Sequence, residues 1–368
     1  MSFELVYTSV RRGLREGSAG FCTVAATDGI PRLLHEKLES LSGYRHSEIS
    51  TGRESPVNYS HVTIRIQRSL YHVVSRIGDA GIDYSGRTNK IAHHLALTSD
   101  EVSRFPQGPA PLLYDDEFWY LDWDTDPEWL PAGRLPRPQN NPADDFSTWE
   151  AVFGDAGWAG ILGKAAADGH QTVSVIVPSA ESTMDLLNEA LQLVVPADRW
   201  KVCFSTYFSQ LTPGTECHWR FILDGTREAR RLRARSPGIL VDPGGSAGKL
   251  PEEDDFVQAA RDGEVQRVYQ KTSEPSRSGG RAVPVRRSGG REMRPSQLRR
   301  KQALEESRRR RHAFDTDDDD EDLDFLEEYD PKEERSGSGV SKSAVIWIVM
   351  GLLVTSVLVL GVIAATRL

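Results

Sequence analysis

The closing apolar run sets the tightest bound on what this chain can fold into. From Ala344 to Ala365 no side chain carries a charge. At about 1.5 Å per residue a helix of that length spans about 33 Å, enough to cross the hydrocarbon core of a bilayer. Thr355 and Ser356 are its only polar side chains, and each can bond a carbonyl one turn back. A buried helix of a soluble core is usually shorter or amphipathic, and this run is apolar all round. The sequence therefore predicts one membrane-spanning helix over 344–365. Lys332, Arg335 and Lys342 precede it and only Arg367 follows, a bias that places the N-terminal side in the cytoplasm. The opening "MSFELVYTSVRRGL" lacks a basic stretch followed by a long apolar one, so it does not read as a secretory signal. Insertion is expected after synthesis.

Composition changes sharply before that run. Seven of the eight tryptophans lie between Trp119 and Trp219. Residues 236–343 hold none, and Gly, Ser, Pro and charge dominate there. Such a stretch buries too little apolar surface to offset the entropy of ordering it. It reads as a disordered linker with a reach of roughly 55–60 Å. Its charge is split in two. The basic block, 277–312, carries thirteen Arg and Lys against three Glu. The acidic block, 315–334, carries thirteen Asp and Glu against one Lys. Adjacent blocks of opposite sign attract and shorten the linker, less so in salt. A sharper alternative is that the basic stretch Arg299–Arg311 docks on anionic lipid. The expected organisation is a folded domain over 1–235, a charged linker over 236–343 and the span over 344–365.

Within 1–235 the pattern predicts α+β, with a mainly antiparallel sheet and a few packed helices. "FELVYT" from Phe3 and "GFCTVAAT" from Gly20 read as strands. Pro31 suits the first turn of a helix whose Leu33, Leu34, Leu38 and Leu41 form one stripe. "SHVTIRIQ" and "YHVVSRIG" alternate across a short turn and predict a hairpin. "QTVSVIVP" reads as a buried strand, followed by a helix with Ser182 and Asp185 as a capping pair. "KVCFSTYF" and "ECHWRFIL" read as two further strands divided by the turn at Thr212. Phe105–Pro142, rich in Pro and Asp, is expected to be a long surface excursion.

Most chemical signatures are absent. "GGSAGKL" at Gly244 and "GWAGILGKA" at Gly157 both lack the glycine spacing and hydroxyl of a phosphate-binding loop. "DWDTDP" at Asp122 starts like a calcium loop but has Pro127 where the sharp-turn glycine belongs. Cys22, Cys203 and Cys217 form no CxxC pair, which fits a reducing compartment and no zinc site. A net charge of −9 argues against nucleic-acid binding by the folded domain. No cofactor or metal is expected, and no enzyme.

One constellation stands out, "DYSGRTNKIAHHLAL" from Asp83 to Leu97. Arg87, Asn89, Lys90, His93 and His94 could together hold an anion such as a phosphate, or a partner. Against that, adjacent residues of an extended chain point to opposite faces, so His93 and His94 do not easily share one site.

The same stretch, with "YTSVRRGLREGSAGFCTVAATDGIP", "LESLSGYR" and "FSTYFSQLTPGTECHWRFIL", resembles the N-terminal domain of the bacterial GTPase-associated protein 1 family. The resemblance covers most of residues 1–230 and none of the linker or span. It implies a role beside GTPases in bacterial conflict or signalling systems, and it carries no catalytic residues. The expectation is a membrane-anchored, cytoplasm-facing adaptor that binds the bilayer through its C-terminal helix and a protein partner, plausibly a GTPase, through its folded domain. The alternative is a small-anion or nucleotide sensor, or an enzyme, with its site around Arg87–His94.

Overall fold

Ten strands hydrogen-bond into one mixed sheet that crosses the whole folded domain. The structure is a computed structural model and describes residues 1–46, 55–139, 145–245 and 251–273. All of these belong to one unit, Met1–Gly280. In chain order the elements are β1 (Phe3–Val10), β2 (Gly20–Thr27), α1 (Arg32–Ser40), β3 (Asn58–Ile66), β4 (Ser69–Ile82), β5 (Thr88–Thr98) and α2 (Ser99–Val102). Then come β6 (Glu128–Leu130), α3 (Ser147–Phe153), α4 (Trp158–Ala167), β7 (Val173–Val177), α5 (Thr183–Gln192), β8 (Phe204–Ser205), β9 (Trp219–Leu223), α6 (Arg227–Ala234), β10 (Ile239–Val241), α7 (Asp255–Asp262) and α8 (Gln266–Ser273). The strand order is β10-β7-β9-β8-β3-β4-β5-β1-β2-β6.

The expected α+β class holds, with a correction to the sheet. Its N-terminal half is antiparallel except at the edge, where β6 pairs with β2 in parallel: β1 pairs with β2 and β5, and β4 pairs with β3 and β5. The predicted hairpin is β3–β4, closed by the two residues Gln67 and Arg68. The other half is parallel. β7 lies between β10 and β9, and β9 also pairs with β8, all in the same direction. The strands on either side of Thr212 are thus parallel neighbours rather than a hairpin. A hairpin at that turn would have to reverse β9, whose Trp219–Leu223 matches β7 residue for residue.

Alternation along the strands divides the core. Leu34 and Leu38 of α1 pack on Leu5, Ile64, Tyr71, Val73 and Ala96. Leu33 is half exposed, so the apolar stripe of α1 is narrower than its leucines suggest. The opposite face holds the main core, where Val74, Leu95 and Leu97 meet Trp149, Leu162, Leu186 and Leu187 of α3, α4 and α5. In the parallel half Val175 and Val177 join that core, while Ile176 and Ile222 point the other way and meet Ala229 and Leu232 of α6. Helices therefore cover both faces of β7 and β9, as parallel strands require.

Three expectations are overturned by packing. The described part of the expected excursion, 105–139, is not confined to the surface: Phe105, Leu112, Leu113, Phe118 and Trp119 are buried in the main core, and Glu128–Leu130 adds the edge strand β6 beside β2. The prolines and aspartates of this stretch turn the chain, and its aromatics anchor each turn. The capping pair Ser182–Asp185 does not form; Ser182 makes no side-chain cap, and Asp185 accepts from the Tyr114 hydroxyl at 2.9 Å.

The folded domain also runs past residue 235. β10, α7 and α8 lie in the stretch assigned to the linker, and Val257, Ala259, Ala260 and Val268 are buried there. A helix needs only a narrow apolar stripe to dock, which a composition averaged over 236–343 conceals. Gly160 of α4 makes this docking close: a Cβ there would lie 2.6 Å from the backbone of Val257. Arg261 of α7 clamps Asp155 with two bonds of 2.7 and 2.6 Å. Among the described residues no helix is long and apolar enough to cross a membrane. The predicted span 344–365 and the blocks 277–312 and 315–334 lie outside the described residues.

Candidate functional site

The five residues singled out in the sequence lie on β5 and the turn before it, and they do not converge. Thr88–Thr98 is a central strand, so neighbours alternate between the two covered faces. His93 and His94 are both fully buried, one on each side.

His93 faces the main core. Its Nε2 lies 3.1 Å from Glu4 Oε2, and its Nδ1 accepts the Tyr120 amide at 3.3 Å. A ring nitrogen that accepts an amide carries no proton, so the other one donates to Glu4 and the imidazole is neutral. Arg134 completes the group at 3.3 Å from the same carboxylate oxygen. Burial lowers the His93 pKa, and the Glu4 carboxylate offsets part of that shift. Phe118 stacks on the ring at 5.2 Å and closes it off.

His94 faces α1. Ser75 Oγ lies 2.7 Å from its Nδ1 and Ser42 Oγ 2.9 Å from its Nε2. Burial, with the nearby His93 and Lys90, lowers its pKa to about 3.

Asn89 is buried as well. Its amide oxygen accepts from the backbone of Ser9 at 3.1 Å and of Lys90 at 2.9 Å. Arg87 is exposed and spends its guanidinium on Asp83, at 3.3 Å, and on Ser85 Oγ, at 2.8 Å. Asp83 also accepts from the Ser9 and Ser85 hydroxyls and two turn amides, and these bonds hold its pKa well below the usual carboxylate range. Among the described residues the Lys90 ammonium has no hydrogen-bonding partner; it sits over the rings of Phe21 and Tyr7. Among the described residues the geometry thus keeps these side chains in separate surroundings and builds no shared anion pocket.

Cys203, Cys217 and His61 are also closed in. Burial raises the pKa of Cys203 and pushes that of Cys217 up to about 12. Neither is a thiolate at neutral pH. His61 stacks on His72 at 5.5 Å, donates from Nδ1 to the Val202 carbonyl at 2.7 Å, and is lowered to about 3 by burial. Among the described residues no group of three or more His, Cys, Asp or Glu is placed to hold a metal ion.

A cleft of about 680 Å³ lies where no sequence motif pointed. It opens at the carboxyl ends of β7 and β9, from which the chain leaves to α5 on one face and α6 on the other. Open parallel sheets commonly bind ligands at such a divergence. Tyr59, Tyr114, Asp116, Ser179, Glu181 and Asp185 are among its lining residues. These come from segments far apart in the chain, so spacing carries no trace of them. The one available signal was the βαβ order of the parallel half.

Residues 1–136 match the N-terminal domain, type 2, of GTPase-associated protein 1, and residues 146–245 match its middle domain. The chain belongs to the GTPase-associated protein 1 family. No curated protein matches it. The two matched domains divide the sheet between them. The N-terminal domain supplies β1–β6, and the middle domain supplies α3–α6 and β7–β10. The block "FSTYFSQLTPGTECHWRFIL" therefore belongs to the middle domain. The cleft takes Tyr59 and Tyr114 from one domain and Ser179 and Asp185 from the other.

Proposed function

We propose that this protein is a non-enzymatic adaptor that binds a GTPase and holds it at the cytoplasmic face of a membrane. Membership of the GTPase-associated protein 1 family supports the choice of partner. The observation that carries the non-enzymatic half is the divergence of His93 and His94 into two closed, hydrogen-bonded surroundings. A general acid or base needs to reach a substrate proton and to titrate near neutrality. These imidazoles are walled off and held neutral. The uncharged run Ala344–Ala365 supports the anchor, and the charge bias around it supports the orientation. Confinement to a membrane shell raises the local concentration of the adaptor for partners at the same surface.

The test is co-purification of the full-length chain with GTPases from the same genome, each loaded with GDP or with a non-hydrolysable GTP analogue, together with cell fractionation. The expected result is a stoichiometric complex with one of them, no turnover of nucleotide by the chain alone, and recovery in the membrane fraction. Failure of every GTPase to bind, or recovery of the full chain in the soluble fraction without detergent, would overturn the corresponding half of the proposal.

A further inference from the structure

The hairpin tips at the β1–β2 and β4–β5 ends form one surface of exposed rings and unneutralised cations. Arg11 lies over the Tyr84 ring at 5.4 Å. Asp83, beside Tyr84, bonds Ser9, and Ser9 is paired with Phe21 across β1–β2. Lys90 lies over Phe21 at 5.2 Å and over Tyr7 at 5.9 Å. These contacts link Arg11, Tyr84, Phe21 and Lys90 into one continuous patch. Phe21 is 40% exposed, Tyr84 44% and Ile82, at the end of β4, 66%.

Three carboxylates near the patch, Asp83, Glu39 and Asp79, already accept hydrogen bonds elsewhere. Asp83 is bound by Arg87 and the turn amides. Glu39 accepts from the Thr23 hydroxyl at 2.6 Å and faces His35. Asp79 lies opposite Lys90 in the β4–β5 register, but its carboxylate bonds the Gly81 amide at 2.6 Å and approaches His46 at 3.9 Å. Arg15 is held against His35. Arg11, Arg12 and Lys90 remain without a carboxylate partner among the described residues.

We infer that this patch is the docking surface of a protein partner that presents carboxylates beside apolar side chains. The inference deepens the adaptor reading and rests on it. Charge complementarity selects the carboxylates: cations left unpaired beside rings gain most from an incoming acidic group that the rings help to dry. The exposed rings and Ile82 select the apolar neighbours. A nucleic acid fits less well. Its bases need a free ring face, and Tyr7 and Phe21 already stack on each other at 12° with Lys90 above them.

The test uses the full-length chain and a fluorescent peptide of alternating glutamate and leucine, read by anisotropy. Two control peptides replace glutamate by glutamine, or leucine by serine. The expected result is saturable binding of the first peptide only. Arg11→Glu combined with Lys90→Met should weaken that binding about tenfold or more, and Phe21→Ser about threefold. Arg230→Glu, a charge reversal on the solvent side of α6, should leave it unchanged. Lys90→Met keeps the packing over the rings, and unchanged unfolding midpoints separate lost contacts from lost folding. The inference is overturned if the peptide does not bind, if the glutamine peptide binds as well, or if Arg230→Glu weakens binding equally. Binding of oligo(dT), or of phosphatidylglycerol vesicles, with the same dependence on Arg11 and Lys90 would overturn it in favour of a polyanion. If the same double variant still captures the GTPase, the adaptor reading stands and this surface falls; if no GTPase binds the parent chain while the peptide does, the reverse holds.

Discussion

The antiparallel and parallel halves of the sheet solve the same problem with different materials. β3, β4 and β5 bury histidines: His61, His72, His93 and His94 all lie on them with little or no exposure. β7 and β9 carry no histidine, and their buried positions are almost wholly aliphatic or aromatic. Antiparallel ladders set polar partners across the register, so His94 finds the Ser75 hydroxyl across β4–β5 and His93 the Glu4 carboxylate on β1. Among the described parallel strands the buried polar side chains are the small hydroxyls of Ser174 and Ser205. The strands β3–β5 are therefore sensitive to protonation, and β7 and β9 to packing.

That contrast can be broken in order of effect. The largest loss is expected from Trp149→Ala, at the centre of the parallel half's core. Its ring is fully buried and its Nε1 donates to the Leu186 carbonyl at 2.8 Å. Truncation should cost about 3–5 kcal/mol in urea denaturation. Because one sheet joins the halves, the transition should stay single; two separated transitions would show that the halves fold independently.

Acidification should act next, and through the antiparallel half. His61 and His94 have folded pKa values lowered to about 3, against an unfolded value near 6.5. Between those values the unfolded chain binds more protons, so stability rises with pH and is lost as pH falls through the window. Each such histidine removes on the order of 1.4 kcal/mol per pH unit below 6.5. Hydrogen exchange at pH 5 should show β3–β5 loosening, and His94→Gln should flatten the pH dependence. Equal protection loss in β7 and β9 of a variant lacking both histidines would refute the assignment.

Gly160→Val sharpens the boundary of the parallel half. A Cβ at 2.6 Å from the Val257 backbone forces α7 away from α4. A loss of about 1–3 kcal/mol is expected, with new protease cleavage near α7 and little change at β1–β5. Arg87→Ala is the smallest step. Its ion pair with Asp83 is exposed on the arginine side, and Asp83 keeps four other donors. Thermal unfolding should move by no more than about 0.5 kcal/mol; a larger loss would mean that the turn depends on the guanidinium.

The legible parts of this fold were those made of local pattern. β1 and β2 begin where their apolar runs begin, and the alternation of "SHVTIRIQ" and "YHVVSRIG" sets the β3–β4 hairpin. The conflict between adjacent His93 and His94 was also readable, because a period of two needs no partner to be known. Less was legible wherever the partner is remote. Trp119 looked like part of a surface loop until its Nε1 is seen to bond the Leu112 carbonyl inside the core. Val257 and Val268 looked like linker until α4 is present to receive them. The cleft was invisible for the same reason, since Tyr59 and Asp185 meet only when β3 lies beside the parallel strands.

By itself, then, the sequence determined the local periods, the places where the chain must turn, the missing catalytic signatures and the family. Those depend on residues within a few positions of one another. The tertiary structure decided strand direction in the middle domain, the burial of Phe105–Leu130, the true extent of the folded domain to α8 and the surroundings of each charged group. These depend on which distant surface supplies the missing apolar or hydrogen-bonding partner, and burial is a property of that pairing rather than of either segment alone.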